Sequence, residues 1–363
     1  MIRWRSGIVT ALRREWPGAT EIMVSADGQE WRALAYPALV GTPRVGDRVL
    51  LNTSALDRGL GTGGYAFVVA LPDRLPADSD SRFGHIMKCR YSPLQAMVTS
   101  VDEQDSPHHE LLRSADSVDG MPVVVADLHS ALPAVLAGLF DSSGTDRGDL
   151  RVAYVMLDGG ALPAWFSRTV AGLRAAGWLA ATITTGQSFG GDLEAVTVHT
   201  GLLAARHVVG ADVAVVAQGP GNLGTGTAWG FSGVAAGEAV NAAAVLGGRP
   251  VASLRLSQAD PRPRHQGISH HSLTAYGRVA LAPADVVVPE LPDPFGSVVA
   301  EQAAPLAMRH RLVRVRLEGL EAALRDCPVP LSTMGRGLDA DLAYFLAAAA
   351  AGRHAVALLA AEA

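Results

Sequence analysis

Lysine is all but absent from this chain: of 363 residues and 30 basic side chains, Lys88 is the only lysine. With so much Ala, Arg and Gly the shortage reads as coding bias, so no function is hung on Lys88 alone. Cysteine is nearly missing too. Cys89 and Cys327 stand far apart in unlike surroundings, which excludes a disulfide framework and a thiolate metal site. Excess charge of either sign is lacking, since a net charge of -5 argues against a surface tuned to nucleic acid. The N-terminal stretch has scattered charge in place of the continuous apolar region of a signal peptide, so a cytoplasmic chain is expected. The longest apolar run, Leu342 to Ala351, is interrupted by Gly352, Arg353 and His354 and is too short for a bilayer span. It reads as a buried terminal helix, and no membrane partner is expected.

What the chain does have is apolar residues, 49% of the total, enough for one large core or two smaller ones. Residues 1–75 hold short alternating runs, with Asp27-Gly28 between two of them as a hairpin signal, and suggest a small β-barrel of the SH3 or OB kind. Residues 76–120 are rich in Asp, Ser, Pro and His and read as a linker or junction. Residues 121–363 alternate apolar runs with helical patterns. Strands are expected at 123–128, 152–157, 180–184, 212–218, 251–257, 284–289 and 312–317, with helices at 163–176 and 193–209. Continuous apolar strands need cover on both faces, so this is an α/β domain, Rossmann-like, with a mostly parallel sheet.

Ligands of open parallel sheets sit beyond the carboxyl ends of the strands. Five times between Val123 and His271 an apolar run stops at a polar cluster. The first brings Asp127 and His129, the second Asp158 with Gly159 and Gly160. Asp158 is balanced between a ligand or catalytic role and a helix cap, and His129 reads more as a capping or packing residue. The third cluster places Ser188, Gly190, Gly191 and Asp192 before a helical pattern, where Asp192 would cap the helix or hold a cation. In the fourth, Gly219, Gly221 and Gly224 satisfy G-x-G-x-x-G directly after a strand pattern. No acidic residue follows at the distance a ribose requires, and Thr225, Gly226 and Thr227 stand where a phosphate loop needs its lysine. The loop is therefore read as a general anion nest, with Thr225, Thr227 and Ser232 as donors, or as glycines that only let helix and sheet approach.

The fifth cluster gathers Asp260, Arg262, Arg264, His265, His270 and His271. Two arginines and three imidazoles suit a phosphate or carboxylate. A divalent metal is the rival, although this histidine spacing matches no established metal pattern. His85, Lys88 and Arg90, near the junction, could add positive charge or form an ordinary interfacial salt bridge.

The motifs GTGTAWGFSG and RPRHQGISHH, with GHIMKCRYSPLQ and SFGGDLEAV before them, resemble an uncharacterised bacterial family frequent in high-GC Gram-positive organisms, a domain of unknown function. The resemblance spans nearly the whole chain and implies no reaction, so the roles come from residue chemistry. The reading that follows is an enzyme, a hydrolase or transferase acting on a small anionic or phosphorylated ligand. His265, His270 or His271 would be the acid or base, paired with Asp158 or Asp260. Gly219 to Thr227, Ser232, Arg262 and Arg264 would bind the anion, with Gly190, Gly191 and Asp192 on the same rim. Two alternatives stay open: an NAD(P)-dependent oxidoreductase, and a non-catalytic metabolite sensor or scaffold. A divalent metal or a nucleotide is the possible cofactor, and the apolar last helix, from Leu338 to about Ala361, would be buried within the domain or in a homodimer.

Overall fold

The computed structural model describes residues 1–78, 84–142 and 150–360. The chain divides into two compact units, Met1–Val98 and Thr99–Ala363. Alternating side chains in the first unit close a barrel from β1 (Trp4–Trp16), β2 (Ala19–Ala26), β3 (Gln29–Ala35), β4 (Arg48–Asn52) and β5 (Ala66–Ala70), with a single helical turn, α1 (Pro37–Val40), after β3. The order is β1-β2-β3-β5-β4, and β3 and β5 run parallel, which selects the OB arrangement over the SH3 one. Register shifts between Val9 and Ala11 and between Leu12 and Glu15 bend β1, which pairs with both β2 and β4. Asp27 and Gly28 both take positive φ, 51° and 73°, as the two-residue hairpin demands. Ile22, Val24, Ala33, Val49 and Leu51 fill the inside. The unit also contains the small hairpin β6 (Ile86–Lys88) and β7 (Ala96–Val98), so His85, Lys88 and Arg90 belong to it, Lys88 fully buried. Part of the expected linker, residues 79–83, lies outside the described residues.

The second unit opens with the short α2 (His109–Arg113) and continues β8 (Pro122–Val125), α3 (Leu132–Ser142), β9 (Val152–Leu157), α4 (Arg168–Ala175), β10 (Ala181–Thr184), β11 (Leu193–Glu194), α5 (Val198–His207), β12 (Val213–Gln218), α6 (Ala235–Val245) and β13 (Arg249–Ser253). Then come the paired β14 (Leu256–Ser257) and β15 (Gly267–Ile268), α7 (His270–Thr274), β16 (Asp285–Pro289), α8 (Phe295–Ala303), β17 (Arg311–Val315), α9 (Leu320–Arg325), the hairpin β18 (Ser332–Thr333) and β19 (Arg336–Gly337), and α10 (Leu342–Ala360). Eight strands form one sheet in the order β11-β10-β9-β12-β8-β13-β16-β17, every neighbouring pair parallel.

Because side chains alternate across a strand, Val123 and Val125 enter one core while Val124 and Ala126 enter the other, and Tyr154 and Met156 oppose Ala153 and Val155 in the same way. One core packs residues of α5, α6 and α8, the other residues of α3, α4, α9 and α10. The expected helix at 193–209 begins only at Val198, because Leu193–Glu194 is an edge strand and Thr197 caps the helix by accepting from Thr200 N–H. The expected helix at 163–176 is broken at Ser167, which caps α4 by accepting from Val170 N–H.

α10 is the one helix among the described residues long and apolar enough to cross a membrane, and it is largely buried against α3. A Cβ on Gly138 would overlap the carbonyl of Ala349, and one on Gly352 the carbonyl of Val135. The alanine and glycine run thus serves a backbone-close helix pair inside this unit, which accounts for its lack of a polar face. Position 361, at the expected end of the helix, lies outside the described residues.

Neighbouring strands β8 and β12 send their chains to opposite faces, β8 into α3 and β12 into α6. That reversal opens a crevice between their carboxyl ends.

Candidate functional site

Asp127 follows β8 at this switch point and is buried, 3% exposed. Gln218 ends β12 beside it and donates from Nε2 to the Asp127 carbonyl (2.9 Å) and to Asn222 Oδ1 (3.1 Å). Ser232 Oγ donates to the same Asn222 oxygen at 2.8 Å. Asn222 Nδ2 in turn lies 3.5 Å from His271 Nδ1. A cleft of about 300 Å³ opens here, lined among others by His129, Gln218, Gly221, Asn222 and Ser332. The β12 turn thus joins the cleft to the histidine segment.

That segment folds back because β14 and β15 pair, which brings His265 next to the first turn of α7. Ser269 caps α7 by accepting from His271 N–H and lies 2.7 Å from His265 Nδ1. The ring centroids stand 5.1 Å apart for His265 and His270, 5.0 Å for His265 and His271, and 4.4 Å for His270 and His271. Phe231 stacks on His271 at 3.8 Å and 2° and fixes its plane. Arg255 Nη1 lies 3.2 Å from His271 Nδ1. With Asn222 Nδ2 as a second donor, this nitrogen is an acceptor and the ring proton sits on Nε2.

Desolvation, with Arg255 second, pushes His265 and His271 down to about 3. Desolvation and then Arg264 lower His270. Burial and the neighbouring arginines thus disfavour the charged form of all three imidazoles. Burial moves Asp127 upward, opposed by Arg255. Among the described residues its Oδ2, 3.8 Å from His271 Nδ1, has no hydrogen-bond partner, and neither have Gln218 Oε1 and His270 Nε2. An unmet buried polar atom costs about 1–3 kcal/mol, and here several gather at one crevice.

The other expected residues have structural partners. Asp260 is bound by Arg262 through Nε at 2.8 Å and Nη2 at 2.7 Å and by Arg336 at 3.3 Å. The Arg262 hydrogen bond leads in holding it far below the usual carboxylate range, so it stays an anion and Arg262 is spent on it. Asp158 accepts from Gln187 N–H at 2.8 Å and pins the turn after β10. Asp192 caps no helix. It accepts from Thr182 N–H at 2.7 Å and from Arg174, completing the sheet edge beside Gly190, which packs on the Trp165 ring, and Gly191.

The loop of Gly219, Gly221 and Gly224 does not open a helix, because an exposed turn and the short 3-10 segment Ser232–Val234 precede α6. Thr225 and Thr227 bond each other, and Thr227 Oγ1 accepts from Gly230 N–H, so these hydroxyls close the loop on itself. Arg264 is exposed, lies near Gly226 and has no carboxylate partner among the described residues. His129, driven to about 4 by desolvation, bridges Tyr154 Oη (3.0 Å) and Ser167 Oγ (2.7 Å), and this relay ties β8, β9 and α4 together.

The structure therefore brings together His265, His270 and His271, reaches Ser232 through Asn222, and adds Asp127, Gln218, Phe231 and Arg255, while Gly219 and Gly221 line the neighbouring cleft. Of these, Asp127 carried a signal, a carboxylate just past a buried strand. Arg255 reads in sequence as one more alternating strand residue. No curated protein matches the chain. A family model matches residues 32–352 of the chain, and the protein belongs to that family, described as a protein of unknown function (DUF3866).

Proposed function

We propose that this protein is a hydrolase or transferase acting on a small anionic ligand, with its reaction centre at the β8–β12 switch point. The observation that carries this reading is Asp127 Oδ2, buried without a partner among the described residues and 3.8 Å from His271, beside three packed imidazoles in which His270 Nε2 is likewise unmet. A ligand is one source of the partners that such buried side chains lack. Arg264 beside the glycine loop and Arg255 beside His271 give the region its positive charge, which suits a phosphate or carboxylate. The cleft at Asn222 is where the non-reacting part of the ligand would lie. Ligand binding through the loop would use its backbone and Arg264, since the threonine hydroxyls are engaged.

A panel of chromogenic aryl phosphates, aryl phosphodiesters and aryl carboxylic esters tests the proposal. The expected result is turnover of at least one phosphate or ester, reduced about 10²–10⁴-fold in kcat/KM by His271→Asn, with the unfolding midpoint unchanged. Calorimetric binding of a phosphate compound without turnover of any probe would replace this reading with that of a metabolite sensor.

A further inference from the structure

We propose that His265, His270 and His271 hold one divalent transition-metal ion of the zinc class, with Asp127 as the carboxylate that orients and completes the site. The inference deepens the reading above and rests on it for the site's purpose, though not for its geometry. One ring nitrogen from each histidine lies within 4.8 Å of the other two. Tetrahedral bonds of about 2.0–2.1 Å to imidazole nitrogen place ligand atoms roughly 3.4 Å apart, so binding closes the widest separation by up to about 1.4 Å. His270, the only partly buried one of the three, moves toward the buried His265 and His271 to close it.

Each ring has a nitrogen to give. His265 is engaged through Nδ1 with Ser269, which leaves Nε2. His270 Nε2 is buried without a partner. In the metal-bound form His271 would carry its proton on Nδ1 and offer Nε2. With Arg255 and the Asn222 amide turned away from it, that Nδ1–H would face Asp127 Oδ2, 3.8 Å away and unmet among the described residues. A carboxylate behind a ligating imidazole is the arrangement that fixes ring orientation and raises ligand basicity. Arg255, whose Nη1 lies 3.2 Å from His271 Nδ1, has Asp260 3.9 Å from its other amino group and can turn to it.

A donor set of three imidazoles, with a carboxylate behind one of them, suits zinc, cobalt or a similar ion, and does not suit magnesium or calcium, which prefer all-oxygen cages. Three protein nitrogens also leave a position open for water or substrate. This ties the site to hydrolysis, because a metal-bound water ionises near neutral pH.

The test uses the full chain, stripped with chelator, dialysed and then offered Zn(II) or Co(II). Expected are one ion per chain by elemental analysis, the intense visible bands of four-coordinate Co(II), and a metal-dependent rise in the unfolding midpoint. His270→Ala loses all three signals, while Asp127→Asn keeps the ion with affinity lowered about 10–100-fold. If His270→Ala does not fold, His265→Gln gives the same readout. Substoichiometric metal in the parent, or full metal retention in the histidine variant, overturns the proposal. Turnover that survives complete chelation removes the metal and leaves the hydrolase reading standing, whereas a bound ion with no turnover of any probe does the reverse.

Discussion

At the amino edge of the central sheet Asp285 begins β16 and is held by His354 Nε2 at 2.7 Å and by Arg311, whose Nε lies 2.6 Å from Oδ1. At the carboxyl edge of the same sheet Asp127 is buried more deeply, yet its Oδ2 has no donor and its imidazole neighbour sits 3.8 Å away. Both edges bury a carboxylate beside a histidine. Only the first satisfies it. Burial raises Asp285 and its bonds to His354 and Arg311 outweigh that, so it falls to about 2, whereas burial wins at Asp127 and moves it up. The contrast teaches where the fold gains stability and where it gives some away, and natural sites that give stability away are sites that bind.

The largest effect should come from breaking the carboxyl edge. Asp127→Asn is expected to lower turnover of the responsive aryl substrate by 10²-fold or more, read as kcat/KM. The matching change at the amino edge should do the opposite. Asp285→Asn is expected to lose about 1–2 kcal/mol, allowing for the exposure of Arg311, which is a fall of several degrees in the unfolding midpoint with turnover unchanged.

The pH dependence sharpens the same contrast. A carboxyl group held at about 2 in the folded protein, against 3.8 for the free side chain, stabilises the fold fully above pH 4 and loses that contribution as pH falls from about 4 to 2. Denaturant unfolding at pH 5 and at pH 3 should therefore show a loss in the parent that is smaller in Asp285→Asn. The smallest effect is expected at Asp158, where Asp158→Asn keeps an acceptor for Gln187 N–H and should shift both kcat/KM and midpoint little. A large loss of turnover there would move the reaction centre along the edge toward β9.

Much of the architecture was legible because buried parallel strands must be apolar on both faces, and Val152–Leu157 and Val213–Gln218 announce themselves in that way. The edge strand Leu193–Glu194 was not, since two half-exposed residues carry no period. The histidine cluster could be picked out from its density, and its meeting with β8 could not, because that depends on the order in which β12 inserts between β8 and β9. Asp260 looked catalytic beside His265, and only the fold brings Arg336 from the β19 hairpin to neutralise it. The glycine motif was read as an anion nest and not as a dinucleotide loop, and the fold agrees on the second point. G-x-G-x-x-G describes a turn, and its use for dinucleotides depends on a helix starting there, which the exposed Thr225 to Trp229 segment prevents.

The account turns on Asp127 being a liability to the fold that a ligand redeems. The most direct measurement is the unfolding midpoint of the second unit in ligand-free, chelator-treated Asp127→Asn beside the parent. An equal or higher midpoint in the variant is the predicted result. A fall like that of Asp285→Asn would mean that Asp127 is a structural carboxylate, and the site built around it would be contradicted.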